Sequence, residues 1–208
     1  MREIVTEMEL ESTLREWEHE EKTISNSLFL NLTFSKNLSG FDFKNCIFNR
    51  CAFSAQFRSA FIWDCSFMGC DLAGVSLDGC SIQNSRFENC RLTGTSWIKT
   101  YFSNVHFIYT KAEYANFSHA SFRNTSFESC ELRQVSFSQN KCKNLCFVQC
   151  DLGRASFFQT PLCGVELSDS EISGLCADVN SLKGVIINEQ QAVELIKLFG
   201  IAIKEGTL

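Results

Sequence analysis

Proline is nearly absent: one residue in 208. A fold rich in proline-marked turns or polyproline segments is therefore excluded, and regular hydrogen-bonded backbone is favoured. There is no run of 18 apolar residues. The opening MREIVTEMELES is acidic where a secretory leader would be basic and then apolar, so neither a membrane span nor a signal peptide is expected. Histidine is scarce, with His19, His106 and His119 at outward or N-terminal positions that have no ligand partner in sequence. Cys65 and Cys70 stand five apart, not at zinc spacing. There is no glycine-rich phosphate loop and no nucleophile elbow. Acid pairs such as Glu128 and Glu131 have the spacing of exposed positions. No enzyme, no metal and no cofactor are expected.

Hydrophobic residues make up 45% of the chain and phenylalanine is abundant, at 20 residues, enough to bury one substantial core. The 12 cysteines, without a signal peptide, read as free thiols in a reducing compartment. The net charge of −5 is unevenly spread. Residues 1 to 21 hold eight acids against Arg2 and Arg15, leaving the rest near +1.

Large apolar residues return every fifth position, a period that fits neither a helix nor a strand. From Phe57 to Ile172 there are 24 consecutive centres: eleven Phe, seven Leu, three Ile, Trp97, and two undersized residues, Ala112 and Cys142. A shorter run, Leu38, Phe43, Phe48 and Phe53, has the same period but meets Phe57 after four residues, so the register slips once. Two positions before each centre stands a small residue, and eight of the cysteines occupy that slot as small buried hydrophobes. One large and one small inward position per pentad make one short side of a coil, and four sides close a square of about 20 residues. Residues 20 apart form coherent columns. Phe67, Phe87, Phe107, Phe127 and Phe147 share one side, while Leu72, Leu92, Ala112, Leu132 and Leu152 share another.

This register resembles that of pentapeptide repeat proteins. The resemblance implies an all-β solenoid, a right-handed quadrilateral β-helix, with an N-terminal helical segment and a C-terminal capping helix. The expected division is an acidic N-terminal segment over 1–27, the β-helix over 28–187, and a capping and dimerisation segment over 188–208. Apolar Ile4, Met8, Leu14 and Trp17 give a helix candidate over 2–18, and LFLNLTF alternates as a strand with Leu28, Leu30, Leu32 and Phe34 on one side. Phe61, Trp63 and Met68 fall on outward slots, and the N-terminal segment is expected to cover them.

At the other end, Asn188 and Gln191 form a capping-box pattern, Ala192, Leu195, Ile196 and Phe199 line one helical face, and Gly200 follows. A cap on one rod accounts for that face. Leu198, Phe199, Ile201 and Ile203 exceed what one cap buries, and the alternative is a homodimer joined through Leu195, Leu198, Phe199, Ile201 and Ile203. The ending, Gln-Ala-x-x-Leu followed by Phe-Gly-Ile, is similar to that of the Qnr-type quinolone-resistance proteins and related topoisomerase-protecting immunity proteins. The resemblance implies a cytoplasmic bacterial dimer that binds DNA gyrase and topoisomerase IV, through DNA-like shape, and protects them from quinolones or a gyrase poison. A body near +1 copies DNA charge poorly, so mimicry would rest on shape. Direct nucleic-acid binding is not expected. The alternative is a protein-interaction scaffold or bacterial effector without a topoisomerase role.

Candidate contact residues lie where the repeat is irregular or charged. Beside undersized Ala112 stand Tyr109, Lys111, Glu113 and Tyr114. An outward column that changes sign, Asp71, Arg91, Lys111, Glu131, Asp151 and Glu171, ends acidic. A second irregularity joins Asn140, Cys142 and oversized Leu145.

Overall fold

The computed structural model describes residues 3–6, 10, 23–54 and 56–202. Its strands in chain order are β1 (Glu3–Val5), β2 (Thr23–Ser25), β3 (Ser27–Leu30), β4 (Thr33–Phe34), β5 (Asp42–Lys44), β6 (Ile47–Asn49), β7 (Ala52–Phe53), β8 (Phe61–Trp63) and β9 (Ser66–Met68). Four eight-residue strands follow: β10 (Ser81–Glu88), β11 (Tyr101–Ile108), β12 (Ser121–Glu128) and β13 (Lys141–Val148), and then the helix α1 (Glu189–Lys197). All pairings are parallel, and each strand stacks on its counterpart one coil later, as Phe87↔Phe107↔Phe127 illustrates. The chain is a four-sided parallel β-solenoid.

The sides keep their identity because like side chains stack inside. Phe48, Phe67, Phe87, Phe107 and Phe127 form a column with centroid spacings of 4.6, 4.6, 5.0 and 4.6 Å, close to the distance between hydrogen-bonded strands. Trp97 stacks on Phe117 at 5.6 Å and its indole N–H donates to Thr95 Oγ1 at 2.7 Å, so its polar atom is satisfied inside the core. The eight slot cysteines are all buried and free. Their thiols donate to backbone carbonyls one coil back, as Cys90 does to Phe67 and Cys130 to Phe107.

Most corners use left-handed backbone, two residues after the centre. Asparagine and glycine adopt it at least cost. On one corner this builds an amide ladder: Asn84 donates to Asp64, Asn104 to Asn84, Asn124 to Asn104 and Asn144 to Asn124, at 2.8 to 3.1 Å.

The N-terminal coils differ from the expectation in two ways. The five-residue register already begins at Ile24, Phe29 and Phe34, all buried. Phe29 therefore points inward with Leu32 and Phe34, whereas Leu30 is exposed and Leu28 half-buried. A two-residue alternation over 28–34 is thus corrected to a pentad. The register also slips twice, at Phe34 to Leu38 and at Phe53 to Phe57, on the same side of successive coils. Those coils close in 19 residues, shown by Thr23↔Asp42, Ile47↔Ser66 and Ala52↔Asp71. A missing residue repeated at the same place preserves stacking, so no ladder breaks.

Glu3–Val5 is strand, not helix, because it pairs with Ser27–Phe29 and extends the sheet by another level. Leu10 is helical and buried, its N–H donating to Thr6. The rest of the helix expected over 2–18 lies outside the described residues, as does its cover over Phe61, Trp63 and Met68. Those three side chains do point outward, with Lys44 Nζ 5.2 Å from the Trp63 ring centre.

Candidate functional site

Tyr109, Tyr114 and His119 occupy three successive corners of one coil, all left-handed, with φ of 52, 61 and 59°. Bulky side chains adopt this region at a cost of about 1–2 kcal/mol each. Tyr109 and Tyr114 are also 56% and 60% exposed. Rings therefore project from one level of the rod where neighbouring levels carry Asn, Gly, Gln, Ser or Lys. Sequence reasoning placed the tyrosines outside but missed His119 as their companion. Its signal was the shared slot, two after a centre.

Between these corners runs the charged side. Lys111 Nζ lies 3.0 Å from Glu131 Oε1 and Arg91 Nη1 3.0 Å from Asp71 Oδ2. Asp151 pairs with Arg133 at 3.0 Å, across 18 residues, a diagonal contact that a search of 20-residue columns does not find. Arg133 is held above its ordinary range by Asp151. Glu171 is held below its own, chiefly by hydrogen bonding to the Ser173 side chain and N–H. Glu113 is half-buried beside Tyr114. The structure thus brings Tyr109, Lys111, Glu113, Tyr114 and Glu131 onto adjacent levels, with Asp151 and Glu171 further along the same side. Three of the column's four acids, Asp71, Glu131 and Asp151, are already neutralised by neighbours.

At the C-terminal end, Asn188 caps α1 with the capping box complete. Gln191 is buried and its Nε2 donates to both Leu167 O and Ser170 O at 2.7 Å, while Asn188 Nδ2 donates to Ser168 O at 2.8 Å. The helix closes the rod by satisfying the last coil's open carbonyls. Leu195 is buried in that cap. Leu198, Phe199 and Ile201 stay exposed, at 40%, 41% and 54%. Ile203 lies outside the described residues.

Among the described residues no group of three or more His, Cys, Asp or Glu could hold a metal ion, and no helix is long and apolar enough to cross a membrane. Cys142, Cys146 and Cys150 occupy different slots and are half-buried, exposed and buried.

A sequence model of the pentapeptide repeat region matches residues 41–117 and 80–157. No curated protein matches the chain. Among solved structures, QnrB1 in a trypsin-treated form, a plasmid-mediated fluoroquinolone resistance protein, aligns over 88% of this chain and 90% of its own at 26% identity, with a TM-score of 0.37. HetL from the cyanobacterium Nostoc sp. strain PCC 7120, a pentapeptide repeat protein involved in heterocyst differentiation regulation, aligns over 85% and 96% at 15% identity, with a TM-score of 0.31. The repeat match spans more than half of the sequence and agrees with the coil geometry level by level: the chain belongs to the pentapeptide repeat family.

Proposed function

We propose that this protein is a non-catalytic, cytoplasmic bacterial binding protein that docks on a type II topoisomerase, DNA gyrase or topoisomerase IV, and shields it from quinolones or another gyrase poison. The observation that carries the reading is the level of exposed tyrosines held in costly backbone between Lys111, Glu113 and Glu131. The coil demands left-handed backbone at such corners whatever the side chain, so two exposed aromatic rings on one level are an addition that the fold itself does not require and that a contact surface uses. The ending that resembles the Qnr type adds the second element. Leu198, Phe199 and Ile201 remain exposed after the cap is complete, and a two-fold contact through them would double the rod.

The test is gyrase supercoiling with ciprofloxacin, with and without the protein. Restored supercoiling, weakened by Tyr109→Asn with Tyr114→Asn, is the expected outcome. Neither rescue nor inhibition at any concentration would leave the scaffold reading in its place. Light scattering of Phe199→Asp should give half the mass of the parent; an unchanged mass removes the dimer from this end.

A further inference from the structure

From β2 to β13 the described coils are hydrogen-bonded each to the next on all four sides. Above β13 the pattern stops on two of them. On the other two the ladder continues, through Asp151↔Glu171 and Ser156↔Cys176. No backbone hydrogen bond joins residues 141–149 to residues 161–168. One level lower, Ser129 N–H donates to Val148 O, but among the described residues the equivalent Gln149 N–H meets no carbonyl; Asn144 and Phe147 N–H likewise lack one. Residues 161–168 pair instead with the cap, through Leu162 to Ser181, Gly164 to Gly184 and Leu167 to Ile186.

The sequence explains the opening. Leu145 fills a corner slot held at lower levels by Cys65, Ser85, Val105 and Thr125. Pro161 has no N–H where Lys141, one coil earlier, donates to Ala120. Three independent features mark the gap. Cys142, a core centre, is only half-buried. Asn140 is 4% exposed and its Nδ2 is the one buried side-chain polar atom without a partner among the described residues. A cleft of about 310 Å³ lies between Leu145–Val148 and Gly164, Glu166 and Asp169. The asparagine ladder also ends here, at Asn144.

An unpaired strand edge recruits extended backbone. The rim is acidic, since neither Glu166 nor Asp169 has an ion-pair partner among the described residues. The floor includes exposed Val148. We propose that the open step above β13 is a docking site for a short extended peptide, which adds as a strand along Leu145–Val148 and sets a lysine or arginine against Glu166 and Asp169. The site is separate from the tyrosine level, and its test involves no topoisomerase.

Amide hydrogen exchange of the free protein comes first. Asn144, Phe147 and Gln149 should exchange about 100-fold faster than Asn124, Phe127 and Ser129; equal protection would mean the step is closed and overturn the proposal. Next, a fluorescent, blocked peptide of alternating valine and lysine, six residues long, is titrated by anisotropy. Saturable binding that slows exchange at those three amides is expected. N-methylation of alternate peptide amides should weaken it about tenfold, and Glu166→Gln with Asp169→Asn about threefold, with the melting temperature unchanged. No binding at millimolar peptide, or equal binding of the N-methylated peptide, would overturn strand addition.

Discussion

The step from β12 to β13 and the step from β13 to residues 161–168 involve equivalent slots of successive coils, yet the first is a continuous ladder and the second is open on two sides. The same fold rule therefore does not by itself produce pairing. Pairing requires a donor at each N–H position, which Pro161 withdraws, and here that loss coincides with Leu145 in the corner slot below; bulk in the slot alone does not open a step, since Ala52 N–H still donates to Leu32 O. What results is a closed, stacked middle and a C-terminal turn bound mainly to its own cap.

Substitutions can be ranked by how strongly they test this difference. The largest effect is expected in the middle. Phe107 is stacked on both neighbours, and Phe107→Ala should lose about 4 kcal/mol by chemical denaturation, against about 3 for Ile172→Ala beyond the opening. Because coils touch only their neighbours, Phe107→Ala should also split one unfolding transition into two. Equal losses at both sites with a single transition would mean that the opening does not uncouple the last turn.

Gln191→Ala removes the donor shared by Leu167 and Ser170 and should cost about 2 kcal/mol, read as faster amide exchange in residues 161–175 with little change near Phe107. Tyr114→Asn should act in the opposite direction, raising stability by about 0.5–1 kcal/mol by relieving left-handed strain, seen as a higher denaturation midpoint. Glu131→Gln breaks an exposed ion pair and should shift stability by less than about 0.5 kcal/mol; a larger shift would mark that side as a network.

Much of this was legible in the sequence, since a solenoid writes its columns directly into spacing. The Phe67-to-Phe147 column, the buried slot cysteines and the Asn188–Gln191 cap needed only the period and the capping pattern. What stayed hidden has physical reasons. Leu28 and Leu30 flank Phe29, and three large apolar residues in a row obscure which one points inward, so the first slip at Phe34 was masked by a false alternation. Three residues at Glu3–Val5 are too few to show strand periodicity against a longer helical pattern. The exchange of sizes between Cys142 and Leu145 was visible in the spacing; that two coils part there depends on Pro161, on the next coil. For the contact residues, spacing found Tyr109 and Tyr114, whereas the Arg133 pairing with Asp151 runs diagonally between columns.

The slot cysteines carry one more consequence. They are spread along the rod from Cys46 to Cys150 and all are buried, so an alkylating reagent reaches each of them only when its own level melts. Quenched labelling read by mass spectrometry would therefore time the unzipping of the shaft storey by storey, with native sulfurs as the clock.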